Sequence, residues 1–295
     1  MANRPPPLAI FLGLILSSLF SVGCQSEASP KEKALRLVIT DVEGLEQLQR
    51  EFGAFRDLLQ QQTQLSIDLF PVSDRTAAVT ALENEQIDLV LTGPAEYVIF
   101  RSRTEVQPLV GLFRPDYTAV ILVRQDNPAQ SLSDLKGQKV AMGPIASTSK
   151  HLAPMHMLSV AGLSKDDIEP FHTSVRAGWE SLVRGDVAAF ATTKDKYLLL
   201  IKENGADTVR VIAESGPLPM DVLLARPGLS PSVIKSISAA IESHGSEFVS
   251  ALLTGEDNQK YVGMQFRPRI SDADYDEVRS MFRTAGLEQL ANPSR

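Results

Sequence analysis

Cysteine is nearly absent: the 295 residues hold one, Cys24. A single thiol cannot close a disulfide within the chain, and no cluster of histidines or acids surrounds it to make a metal site. Histidine is scarce too. There are four, and His151 and His156 stand five apart, which is not the one-face spacing of a helical metal pair. No Gly-rich phosphate loop, GxSxG elbow or HExxH occurs, so the signatures of nucleotide binding, serine hydrolysis and zinc proteolysis are missing. The expectation is therefore no enzyme, no cofactor and no metal. Positive charge is also in short supply, with 29 Lys and Arg against 36 Asp and Glu. That balance argues against nucleic acid, whose binding rests on clustered cations. It leaves an anionic ligand open, because a pocket works through local donors while net charge governs solubility and steering. Low-complexity tracts and short repeats are absent. So is a second long apolar run that could carry a signal through a membrane.

The one apolar run, Leu8 to Phe20, follows Arg4 and precedes the small residues Ser21, Val22 and Gly23. A basic start, an apolar core and small residues before a cut describe a secretory signal. A bilayer-spanning helix needs roughly 20 apolar residues, and this run is shorter. Cys24, just behind it, resembles the acylated cysteine of a bacterial lipobox, although Ser21 stands where that motif usually has Leu. The resemblance implies a signal peptide over 1–23, a lipid on Cys24 and a tether over 24–34. The polar stretch Gln25 to Lys33 would reach about 30 Å when extended. Removing residues 1–23 takes away one Arg and no acid, so the formal charge moves from −7 to −8.

Behind the tether the pattern is α/β. Leu35 to Ile39 reads as a strand, Gly44 to Thr63 as a helix, Leu65 to Val72 as a strand, Arg75 to Asn84 as a helix and Ile87 to Leu91 as a strand. Strands separated by single helices point to a parallel sheet covered on both faces. A second α/β unit follows. Tyr117 to Arg124 and Lys139 to Met142 read as strands, Ser147 onward and Trp179 to Arg184 as helices, and Asp186 to Ala191 as a strand. Pro154 should break or kink a helix begun at Ser147.

Five segments recur in the order and approximate spacing of one family. They are Ala81–Leu89 with Gly93-Pro94-Ala95-Glu96-Tyr97; Leu132–Ala141 with Ser147-Thr148-Ser149; Gly185–Phe190; Leu218-Pro219-Met220-Asp221; and Phe266-Arg267-Pro268 with Asp274-Tyr275-Asp276. Together they cover nearly the whole mature chain. The chain thus resembles the phosphonate/phosphite-type solute-binding proteins of ABC transporters. The resemblance implies a type II periplasmic-binding-protein fold: α/β, two Rossmann-like lobes joined by crossing hinge strands, with the ligand in the interlobe cleft. Lobe one would comprise 35–118 plus 222–295, and lobe two 119–221.

Ser147, Thr148 and Ser149 are the most informative residues. At a helix start, three hydroxyls and several backbone N–H groups outside the helical ladder converge, and the helix dipole favours an anion there. Ser and Thr also cap many ordinary helices, and the tripeptide alone does not separate the two uses. Tyr97 ends a strand-to-helix turn, where a cleft residue belongs in an open α/β sheet. It also fits a packed edge aromatic. Asp221 and Asp195 match the family's two acidic cleft positions, and would accept a proton from a protonated phosphonate or an amino group while rejecting sulfate. Asp195 equally fits a solvated loop. Arg75 stands where relatives commonly carry Tyr, and Val175-Arg176 where they carry His-Asp, with His172 out of register. Either these arginines make the cleft more cationic or they face water.

The expected function is the extracytoplasmic solute-binding component of an ABC importer that captures a small phosphorus oxyanion (phosphonate, phosphite or phosphate-like). Its partners would be the permease and ATPase complex and, through Cys24, a membrane at the periplasmic or cell surface. The alternatives are a ligand-binding accessory to a membrane sensor, or an enzyme of the same fold acting on a small anion.

Overall fold

In the computed structural model, residues 1–2 and 33–292 are described, apart from 41, 43 and 74 and the side chains of Arg75 and Thr76. Cys24, all but the first two residues of the proposed signal over 1–23 and all but the last two residues of the proposed tether lie outside the described residues. The chain begins with β1 (Leu35–Ile39), α1 (Leu45–Thr63), β2 (Ile67–Leu69), α2 (Arg75–Glu83), β3 (Leu89–Thr92), α3 (Pro94–Arg103) and β4 (Gln107–Phe113). It continues through β5 (Ala119–Arg124), β6 (Lys139–Met142), α4 (Ala153–Val160), β7 (Glu169–His172), α5 (Val175–Arg184), β8 (Ala189–Thr193), α6 (Lys194–Asn204) and β9 (Val209–Glu214). The last part holds β10 (Asp221–Ala225), α7 (Pro231–Ser243), α8 (Gly245–Leu252), β11 (Gln265–Arg267) and α9 (Asp276–Thr284).

Among the described residues these strands form two sheets, ordered β11-β4-β10-β3-β1-β2 and β7-β6-β8-β5-β9. In the first, β1 runs parallel to β2 and β3, whereas β10 is antiparallel to β3 and β4. In the second, β6 runs parallel to β7 and β8, and β5 is antiparallel to β8 and β9. Every residue of β3 is buried, as a central strand covered on both faces requires. Amphipathic α1 covers one side of the first sheet with Leu48, Phe52, Phe55 and Leu59, one turn apart on a single face. On the second sheet, α5 starts at Ser174, whose hydroxyl accepts from Ala177 N–H at 3.2 Å, and ends at Gly185 in the left-handed region (φ 81). A third apolar cluster joins the two sheets: Phe100 of α3 and Met155 of α4 share it with Val278, Met281 and Phe282 of α9.

Two segments cross between the sheets, residues 114–118 and 215–220, and they are bonded to each other. Leu218 N–H donates to the Tyr117 carbonyl (2.8 Å), Ala119 N–H to Ser215 Oγ (2.9 Å) and the Thr118 hydroxyl to Glu214 (2.9 Å).

The helix expected from Ser147 takes a different form. Residues Thr148–Leu152 make a π turn before α4 begins, and the cause is Pro154. Proline has no N–H, so the carbonyl four residues earlier, on Lys150, loses its helical donor. Ala153 N–H instead reaches back to the Thr148 carbonyl, and the Lys150 carbonyl accepts from Gly143 N–H at 2.9 Å. The proline thus ties the helix start to the end of β6.

Candidate functional site

The carboxyl ends of β1, β3, β4, β6 and β8 open onto one cavity of ≈ 560 Å³, with walls from both sheets. Ligands of open α/β sheets sit beyond such strand ends. Thr40, which lines the cavity just past β1, shares a hydroxyl hydrogen bond of 2.9 Å with Thr92 at the end of β3.

Ser147, Thr148 and Ser149 line this cavity, and all three are buried. Ser147 holds the N-cap position, yet its side chain makes no capping bond. Capping therefore does not account for its hydroxyl. Thr148 reaches across to the other sheet, where its Oγ1 accepts from Ala95 N–H in the first turn of α3 at 3.0 Å. A hydroxyl that accepts one bond still has its own proton to donate. The cross-cleft contact thus orients that proton without consuming it.

Two helix starts face the cavity, and they differ in charge. In α3, Glu96 folds back over its own N-terminus; a Cβ on Gly93 would lie 2.9 Å from Glu96 Oε2. That acid occupies the end of the dipole where an anion would be stabilised. The start at residues 147–149 carries hydroxyls and no acid in its first turn. It is the better anion seat of the two.

The strongest cation of the cavity is Arg114, just past the end of β4. Its side chain is 9% exposed, donates from Nη2 to Asp221 Oδ1 at 3.1 Å, and stacks over the Tyr117 ring at 3.4 Å. Burial alone lowers its affinity for a proton, but Asp221 beside it wins and holds the guanidinium charged. Lys150, Lys196 and Lys260 add cations to the wall, and Glu96, Asp195 and Asp257 add acids. Lys150 enters because position 143 is glycine: a Cβ there would stand 2.5 Å from Lys150 Cβ. The far wall, Asp257 to Lys260, is set in place by Glu51, a buried acid in α1. Its carboxylate accepts from Asp257 N–H (2.9 Å), and its carbonyl accepts from Asn258 Nδ2 (2.7 Å).

Of the residues singled out from sequence, Ser147, Thr148, Ser149, Asp195 and Asp221 meet in this cavity. Asp221 arrives with an unforeseen partner, since one of its oxygens already serves Arg114. Tyr97 does not belong to the cavity wall, which corrects the expectation that its phenol donates to an anion. It is 1% exposed, donates to Asp272 Oδ1 at 2.9 Å, and packs on Tyr275 with ring centroids 4.1 Å apart. Burial and the neighbouring carboxylate push its pKa well above the ordinary phenol value. The reason is rotation: each helical step turns about 100°, so with Glu96 facing the cavity Tyr97 points towards Tyr275. The Arg75 side chain lies outside the described residues, and Arg176 is exposed on α5 away from the wall. Arg114, Glu96, Lys196 and the 257–260 wall escaped sequence reasoning. Arg114 alone left a trace, as a cation directly after a strand.

Comparison with known proteins assigns the chain to a family. Over residues 37–281 the chain matches the profile of a family described as "ABC transporter, phosphonate, periplasmic substrate-binding protein". It is similar to the phosphate-import protein PhnD of Mycolicibacterium smegmatis, with 23% identity over 92% of this chain and 94% of that one. Among solved structures, PhnD1 of Prochlorococcus marinus in complex with methylphosphonate superposes with a TM-score of 0.67 at 20% identity, covering 86% of this chain and 99% of that one. A Xanthomonas citri protein bound to ATP gives a TM-score of 0.70 at 17% identity, covering 88% and 98%. The fold is that of the periplasmic binding proteins, α/β with two sheets. An acid-balanced helix start, a hydroxyl-lined one and a buried arginine meet at the strand ends of a chain that belongs to the family of periplasmic substrate-binding proteins of phosphonate ABC transporters.

Proposed function

We propose that the cleft captures a small phosphorus oxyanion, seated on Ser147, Thr148 and Ser149 and neutralised by Arg114, with Asp195 and Asp221 reading the ligand's protons. The importer role itself comes with the family: the chain is a periplasmic solute-binding component of an ABC importer, not an enzyme. The observation that carries the ligand assignment is the buried 147–149 segment, whose first hydroxyl makes no capping bond and whose second is oriented by Ala95. The cavity of ≈ 560 Å³ coexists with that bridge between its walls. An organic substituent on the phosphorus would therefore fit beside Asp257, Asn258 and Lys260.

The rest of the reading is architectural. Residues 35–118 with 222–295, and residues 119–221, act as two lobes hinged on the crossing segments, and closure follows ligand capture. Arg75, in α2, is carried in this reading as a further ligand-binding residue. Cys24 carries a lipid that holds the protein at the membrane beside its permease.

The test is a thermal-shift survey of the purified protein with phosphite, methylphosphonate, aminoethylphosphonate, phosphate, sulfate and small carboxylates. A ligand at 100 times its Kd adds about 2.7 kcal/mol of stability, which is readily seen. Phosphite or a phosphonate should respond first and phosphate second. Silence from every phosphorus compound alongside a response to a carboxylate would sink the ligand assignment and leave the fold untouched.

A further inference from the structure

We propose that His151, which is not part of the cavity wall, is the positioning residue of the oxyanion loop. Its Nδ1 accepts the Ala146 N–H and so holds the left-handed turn that delivers residues 147–149 to the cavity. The inference rests on the reading of 147–149 as the ligand seat.

The loop must reverse direction between β6 and the π turn within a few residues, and its buried backbone groups need partners. Gly143 N–H goes to the Lys150 carbonyl, Ser147 N–H goes to the Pro144 carbonyl, and Pro144 has no donor. Ala146 is the difficult position. It is buried, and it sits at φ 63, a conformation that an alanine adopts only when its surroundings enforce it. The one hydrogen bond at its N–H runs to His151 Nδ1 at 3.0 Å. A nitrogen that accepts cannot carry a proton, so His151 is the Nε2–H tautomer.

A second imidazole completes the device. His172 places Nδ1 2.7 Å from the Gly143 carbonyl, which can only accept, so His172 carries its proton on Nδ1. The two rings meet edge to face, centroids 4.6 Å apart at 86°, in opposite tautomers. One ring grips the entry to the loop at Gly143 and the other its apex at Ala146. Burial, together with the neighbouring His172, lowers the His151 pKa to about 4, so the ring remains an acceptor at neutral pH. Beyond burial, His172 is the ionisable neighbour that acts on it. Packed β8 brings no ionisable residue, and Arg279 of α9 is held by Asp272 and Asp276.

The experiment compares the wild type with His151→Asn and His151→Leu. Asn carries Oδ1 where Nδ1 was, and Leu offers no acceptor. Phosphite and methylphosphonate are titrated calorimetrically, and amide exchange at Ala146 is followed by NMR together with the imidazole nitrogens. His151→Leu should bind both probes about tenfold more weakly or worse, the scale of one lost hydrogen bond, with fast exchange at Ala146. His151→Asn should stay near wild type in both. Wild-type spectra should show a bare Nδ1 on His151 and a protonated Nδ1 on His172. A folded His151→Leu protein that binds phosphite like wild type, or a proton on His151 Nδ1, overturns the proposal. If the wild type binds neither probe, the ligand reading fails by itself, and the tautomers and Ala146 exchange still decide the role of His151. Should His151→Leu not fold, His151→Asn and the wild-type spectra carry the decision.

Discussion

Arg114 and Asp221 form a buried ion pair, Nη2 to Oδ1 at 3.1 Å, between the first residue of one crossing segment and the residue that follows the other. Arg114 follows β4 where the chain leaves the first sheet, and Asp221 opens β10 where it returns. The pair therefore ties the two crossing segments together at the cavity wall. Arg114→Gln removes the guanidinium from Asp221; breaking a fully buried pair costs about 3–5 kcal/mol, and access to the cavity puts this one at the lower end. Oxyanion affinity should fall roughly ten- to hundredfold, as expected for a lost charged hydrogen bond. Asp221→Asn leaves the arginine's charge uncompensated and should improve sulfate relative to protonated phosphonates. The double variant should recover the melting temperature without recovering affinity. Wild-type affinity in the double variant, read by calorimetry, would exclude Arg114 from the ligand shell.

Ser149→Ala and Thr148→Ala should separate seat from bridge. Each removes a donor to the anion and should weaken phosphite binding about ten- to hundredfold. Neither should unfold the chain, since a lost helix-start group costs about 1 kcal/mol. Only Thr148→Ala also releases Ala95 N–H. It alone should expand the ligand-loaded protein in small-angle scattering.

Tyr97→Phe should leave ligand affinity unchanged. The hydroxyl serves Asp272, which Arg279 also holds through both oxygens at 2.8 and 2.9 Å. The cost should be about 1.5 kcal/mol of unfolding free energy, the lower end for a hydrogen bond to a charged group, because Asp272 is half-exposed and keeps Arg279. A clear fall in phosphonate affinity would return Tyr97 to the site.

Cys24→Ala tests anchoring. The variant should move from the membrane fraction to the soluble fraction and should no longer incorporate labelled palmitate. A variant that stays with membranes, together with an unlabelled wild type, would remove the lipid anchor.

How much of this was legible in the sequence depended on range. Leu35 to Ile39 and Lys139 to Met142 are strands as their residues suggest, because alternation and burial are local properties. The stretch 65–72 keeps only Ile67–Leu69 in the sheet, since Pro71 cannot donate to a neighbour. That residues 147–149 open a helix start with three hydroxyls was legible, because the start and its hydroxyls are contiguous in sequence. Arg114 was not, because its burial depends on an aspartate 107 positions away. The 257–260 wall was still less so: it stands where it does because Glu51 binds it from α1, and a buried glutamate within an amphipathic pattern looks like any surface acid. Tyr97 misled because a strand end fixes where a helix begins, while the phase of that helix is set by α9.

Pro154 turns a helix defect into the reason the loop exists. Any other residue at 154 would offer the Lys150 carbonyl an N–H, and the ordinary ladder would compete with Gly143 for that oxygen. The gain would be a more regular helix; the loss would be the tether at the end of β6, visible as faster amide exchange at Gly143.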